Sequence, residues 1–190
     1  MSLRSVFPIL CSAVLGLLSF NASADEPGWV ARQWNAASAE VSTISEQGRW
    51  DFYEPVYAWH LPFSYNSGQR EKYNNTAWPA FGVGKGYYDV KGNRSGLYAM
   101  EFIDSNDKWS AMAGYGYSWQ YGKREGFNYG LGYTLGLMTR EDYFGRFPFP
   151  VILPTLAAGY DNVKIEAAYV PGFKKGTGNI LFFWLKYELK

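Results

Sequence analysis

The chain holds a single histidine, His60, and an adjacent carboxylate and hydroxyl, Asp104-Ser105, at the head of a strand-like run. A neutral imidazole is the usual protein base near pH 7. Ser105 has the chemistry of a nucleophile or an oxyanion donor, and Asp104 that of a group orienting an imidazole. Residue types alone leave a second reading open. A lone histidine among aromatics also suits a membrane interface, and Asp-Ser is common turn chemistry. In a regular strand Asp104 and Ser105 would point to opposite faces, so a shared site demands irregular backbone there.

The elements that would carry these residues are strands. In the run after the turn, Ala111, Ala113, Tyr115, Tyr117 and Trp119 form one face, and Ser110, Met112, Gly114, Gly116, Ser118 and Gln120 the other. The cleanest alternation sets Phe127, Tyr129, Leu131, Tyr133, Leu135 and Leu137 against Asn128, Gly130, Gly132, Thr134, Gly136 and Met138. The same reading predicts strands over 50–65, 78–88, 97–103, 109–120, 127–138, 149–160, 163–170 and 179–189. An even number of short strands, bulky on one face and small or polar on the other, predicts an all-β fold. It is an eight-stranded antiparallel outer-membrane barrel with an N-terminal amphipathic helix. A secreted soluble barrel would carry its bulky side chains inward, and alternation does not say which face is inside. The glycines favour a narrow filled lumen, because a small barrel needs small inward residues.

Composition agrees. A formal net charge of +1 provides no field for nucleic acid, and 19 % aromatic residues suit a lipid-facing surface. Residues 1–24 read as a signal peptide, with Arg4, an apolar run and an Ala22-Ser23-Ala24 cleavage site. The only cysteine, Cys11, lies in that segment, so the mature chain has neither disulfide nor thiolate chemistry. Residues 25–48 read as an amphipathic periplasmic helix and link, whose Trp29 and Trp34 suit an interface. Residues 49–190 are the barrel.

Strand parity groups the chemistry. With both termini in the periplasm, the odd-numbered connections are extracellular. They include the long stretches 64–76, 139–148 and 171–178, and the turn 104–108. His60, near the outer end of the first strand, then shares a side with Asp104 and Ser105. From Trp109 to Gly116 the strand descends about 18 Å, at ~3.3 Å per residue and a tilt of roughly 40°. Gly116 therefore falls near mid-membrane, where the half-thickness is about 15 Å.

Several segments together resemble the lipid A palmitoyltransferase family, often called PagP. They are Tyr53-x-Pro55-x-x-x-Trp59-His60, Gly92-Asn93-x-x-Gly96-Leu97-Tyr98-Ala99-Met100-x-Phe102-x-Asp104-Ser105 and Lys108-Trp109-x-x-x-Ala113-Gly114-Tyr115-Gly116. Leu153-Pro154, Gly159-Tyr160, Tyr169-x-Pro171-Gly172 and Gly178-Asn179 follow in order. The resemblance implies a Gram-negative outer-membrane enzyme with its active site facing outside. It implies transfer of a palmitoyl chain from the sn-1 position of a phospholipid donor to lipid A. It makes His60, Asp104 and Ser105 the catalytic residues, and Gly116 the lumen floor that sets acyl-chain length. Pro55, Pro154 and Pro171 match prolines that open lateral lipid gates. A proline removes a ladder donor, and an unladdered wall is where a lipid enters sideways. Arg70, Lys72, Arg140, Phe173 and Lys174 are candidates for contacting the lipid A headgroup. The reading needs no metal or other cofactor and no nucleic acid, and it fits a monomer or homodimer. One departure stands out. The family carries proline just before the tryptophan matching Trp78, where this chain has Ala77, with Pro79 just after it.

Overall fold

The computed structural model describes residues 28–141, 144–172 and 178–190. Helix α1, Trp29–Gln47, is an element apart from the barrel, and its Trp29, Trp34 and Val41 are exposed. The barrel strands are β1 (Arg49–His60), β2 (Phe81–Tyr88), β3 (Arg94–Ile103) and β4 (Trp109–Gly122). They continue with β5 (Phe127–Thr139), β6 (Phe149–Tyr160), β7 (Val163–Val170) and β8 (Ile180–Glu188). Every strand pairs antiparallel with its sequence neighbour, and β1 closes on β8. No described helix is long and apolar enough to cross a membrane; the crossing element of such a fold is the strand.

Burial settles which face is inside. Leu156 is 59 % exposed, Phe127 63 % and Tyr160 68 %, whereas Lys164 and Asp51 are each 1 % exposed. Apolar residues point out and charged residues point in. That inversion is what a lipid solvent selects, and it excludes the soluble barrel.

The lumen is layered. One end is apolar: Met100, Phe102, Met112, Met138, Leu153 and Phe182 pack together, with Phe102 and Phe182 rings 4.6 Å apart. The other end is ionic. Arg94 pairs with Asp51, and its Nε lies 3.1 Å from Glu188 Oε1. Lys186 pairs with Glu166 and approaches Glu188 at 3.3 Å, while Lys164 donates to Asn128 Oδ1 at 2.6 Å. Three cations face three anions, so the buried charge balances. Such a cluster specifies an arrangement more than it adds stability.

The β1 strand ends earlier than the alternation suggests. Tyr65 and Ser64 turn back to donate their N–H groups to Leu61 O, so 61–65 is a turn. A short helix, α2 (Ser67–Lys72), interrupts the expected loop. Asn66 caps it reciprocally with Gln69.

Candidate active site

His60 is the last residue of β1, is 2 % exposed and points into the lumen mouth. Its ring stacks on Tyr73, with centroids 4.8 Å apart and planes 10° apart, and meets Tyr65 edge-on at 4.9 Å. Its Nδ1 lies 2.9 Å from Asn75 Oδ1. These three partners all come from the connection between β1 and β2.

Residues 74–77 of that connection act as a bridge. On one side Ala58 N donates to Asn75 O at 2.8 Å and Ala77 N to Val56 O at 3.2 Å. On the other, Ile103 N donates to Ala77 O at 3.0 Å and Asn74 N to Ser105 O at 3.1 Å. Asn74 Nδ2 also donates to Asp107 Oδ1 at 2.7 Å. The segment therefore spans the two strands that carry His60 and the Asp104–Ser105 turn. All three predicted residues border the same rim, buried at 2 %, 5 % and 8 % exposure.

The carboxylate of Asp104 is engaged elsewhere. Its Oδ1 accepts N–H bonds from Asn106 at 2.8 Å and Lys108 at 3.1 Å, and its Oδ2 accepts from Ser110 Oγ at 3.3 Å. Asp104 thus organises the irregular turn that a shared site demanded. The group on His60 Nδ1 is Asn75. Arg140 Nη2 sits 3.7 Å from Asp104 Oδ2, which draws this cation to the same turn. Arg70 borders a surface cleft with Ser67, Glu71, Tyr73 and Asn75, and Lys72 is exposed on α2. Phe173 and Lys174 lie outside the described residues.

Below the rim, a cavity of about 50 Å³ is lined by Tyr98, Met100, Gly116, Thr134 and Trp184, with Arg94, Glu166 and Lys186 at its ionic end. That is space for roughly two water molecules. Three methionines, Met100, Met112 and Met138, belong to the apolar packing of the lumen, and unbranched thioether side chains repack easily. Gly116 borders this space. A Cβ built there meets nothing nearer than Tyr133 O at 4.0 Å, whereas one on Gly114 would strike Leu135 O at 2.3 Å. Close strand approach requires glycine at 114. At 116 it leaves lumen open.

The wall has two interruptions on the His60 side. The β1–β2 ladder runs only from Arg49↔Gly86 to Tyr53↔Gly82, and pairing resumes beyond Pro55 with the bridge at Tyr57↔Thr76. Pro55 also marks a register shift against β8. The β6–β7 ladder stops at Thr155↔Ala168, leaving Pro154 and the end of β7 before Pro171 unladdered on that side. Each interruption contains prolines the sequence singled out, because a residue without N–H cannot complete a ladder. Ala77 keeps its N–H and uses it, so the first interruption lies between that bond and Gly82.

A closed barrel with an apolar exterior, a filled lumen that is apolar at one end and ionic at the other, and His60 and Ser105 buried at one rim is a barrel of the outer-membrane type. Comparison with known proteins carries this to a family. The family model described as "Antimicrobial peptide resistance and lipid A acylation protein PagP" matches residues 40–186. A protein of Erwinia tasmaniensis named lipid A acyltransferase PagP is 38 % identical over 183 residues, 95 % of each chain. Proteins of the same name from Klebsiella pneumoniae subsp. pneumoniae and Cronobacter sakazakii are 37 % and 36 % identical. They cover 90 % and 97 % of this chain, and 91 % and 97 % of their own lengths. The chain belongs to the PagP family, whose barrel fold fits an outer-membrane protein.

Proposed function

We propose that this barrel transfers a palmitoyl chain from the sn-1 ester of a glycerophospholipid to a hydroxyl of lipid A. The reaction site is at the extracellular rim of the Gram-negative outer membrane. The observation that carries the reading is one continuous column. His60 and the Asp104–Ser105 turn lie at the end of the barrel whose lumen is packed with apolar residues, Met100, Met112 and Met138 among them, and Gly116 borders a small cavity in that lumen. The other reading, a non-catalytic small outer-membrane barrel with a structural or adhesive role, does not call for a lone histidine buried at the lumen rim.

The transfer follows from the residues in place. The donor's acyl tail lies in the lumen, and its ester carbonyl sits at the rim. His60 takes the proton of the acceptor hydroxyl as its oxygen attacks that carbonyl. The new oxyanion is stabilised by hydrogen-bond donors of the turn, the Ser105 hydroxyl among them. Collapse breaks the sn-1 ester, and the imidazolium returns its proton to the departing glyceryl oxygen. The products are acylated lipid A and a lysophospholipid, so atoms and charge balance. Asp104 acts by holding the turn and Arg140. Arg140, Arg70 and Lys72 supply cations toward acceptor phosphates. Lipids pass through the interruptions at Pro55 and at Pro154 and Pro171, where no ladder must be broken. Residues 1–24 direct export, and α1 lies at the periplasmic interface through Trp29 and Trp34.

The test uses purified barrel in detergent, lipid A, and phospholipid labelled in the sn-1 chain alone. Label should move to lipid A with stoichiometric release of lysophospholipid. Label retained by the donor, or released only as free fatty acid, would sink the proposal.

A further inference from the structure

The hydrogen bond on His60 Nδ1 has a chemical consequence. With the Asn75 amide turned so that Oδ1, which only accepts, lies 2.9 Å from Nδ1, the ring proton is on Nδ1. The neutral imidazole then presents the bare lone pair of Nε2, which is the atom a general base needs. We propose that Asn75 is the positioning residue of this site: it fixes the His60 tautomer and ring plane, the role Asp104 would have in a carboxylate-based relay.

Three further observations support this. The Asn75 backbone is itself fixed, since its carbonyl accepts Ala58 N–H at 2.8 Å, two residues before His60 on the same strand. Its neighbour Asn74 donates to Ser105 O and to Asp107 Oδ1, so the segment that orients the base also registers the turn. The carboxylate of Asp104 accepts from Asn106, Lys108 and Ser110, so its lone pairs are already directed into its own turn. The groups facing the imidazole are Tyr65, Tyr73, Asn75 and the backbone carbonyl of Ala58, with the field of Arg140 reaching it. Each of these is neutral except Arg140. A neutral orienting amide leaves the imidazolium formed during transfer without a carboxylate partner. The proton is therefore held loosely and returned readily to the leaving oxygen.

The inference rests on the acyl-transfer reading only for its kinetic arm. Because the chain has one histidine, uniform labelling of histidine with ¹⁵N reports this ring alone. In the full-length protein folded in micelles at alkaline pH, the ring proton should be on Nδ1. In Asn75→Leu it should shift toward Nε2. A ring protonated on Nε2 in the unaltered protein would overturn the proposal, whatever the enzyme does. Kinetically, Asn75→Leu should lower kcat by about 10²-fold while KM stays within about twofold. Asn75→Asp should restore most of kcat and move the acid limb of the pH–rate profile to higher pH, because a carboxylate holds the imidazolium more tightly. Unchanged kcat in Asn75→Leu, or no rescue by Asn75→Asp, would also overturn it. If the unaltered protein transfers no acyl group, the acyl-transfer reading fails and the tautomer measurement still decides this one.

Discussion

Replacing Gly116 by Met should shorten the transferred acyl chain without unfolding the barrel. The position accepts a Cβ: an added one has no heavy atom nearer than 4.0 Å, and the position borders the cavity shared by Tyr98, Thr134 and Trp184. The thioether side chain occupies roughly four methylene equivalents of volume. A palmitoyl tail must withdraw that many carbons from the apolar lumen, at ~0.8 kcal/mol each. The loss of about 3 kcal/mol lowers palmitoyl transfer by about 200-fold relative to a donor shorter by the same amount. Gly116→Ala, with one added carbon, should shift the preference by one methylene, about fourfold. The assay offers purified variant a mixture of phospholipids differing only in sn-1 chain length and resolves the lipid A products by mass. Gly114→Ala is the contrast. Its Cβ would strike the Leu135 carbonyl, so it should lower stability and leave chain preference alone. Unaltered product length in folded Gly116→Met would refute the lumen as the ruler.

His60→Ala and Ser105→Ala should each lower lysophospholipid release by about 10²-fold or more, with barrel content by circular dichroism unchanged. Asp104→Asn keeps the Oδ1 acceptor of Asn106 and Lys108, so its thermal midpoint should stay near the parent's, whereas Asp104→Leu should lose about 1 kcal/mol as the hydrogen bonds that hold the turn are lost. Ala77→Pro removes the N–H that bonds Val56 O, widening the interruption beside Pro55. KM for lipid substrate should fall at constant kcat, and an unchanged KM would argue against entry there. Glu188→Ala removes one anion shared by Arg94, Lys164 and Lys186, leaves the buried cluster with an excess positive charge, and should cost about 3–5 kcal/mol in denaturant titrations.

Much of the architecture was legible in the chain because a barrel between lipid and a filled lumen writes its period into the sequence. The runs 127–138 and 149–160 locate β5 and β6 nearly to the residue. Misplaced boundaries have local causes. The β3 strand begins at Arg94 rather than Leu97, since Arg94 and Ser95 are both polar and both buried, so the pair lacks the usual apolar contrast. The β2 strand begins at Phe81 rather than Trp78, because Pro79 interrupts pairing. Helix α2 carried a readable signal, the Asn66-x-x-Gln69 capping box, inside a stretch that looked only polar. The ionic pairs across the lumen were not legible, since Asp51, Arg94 and Glu188 are far apart in sequence and meet only on closure. Asn75 was illegible for the same reason. Nothing in a loop asparagine's type or spacing announces a bond to a histidine on the previous strand, and Asp104 was the residue whose chemistry suggested that role.

The most direct measurement is mass spectrometry of lipid A from Gram-negative cells with and without this protein, with a folded His60→Ala control. A lipid A species heavier by one palmitoyl group should appear only when the unaltered protein is present. Lipid A identical in all three samples, with the barrel folded in the outer membrane, would contradict the acyl-transfer reading.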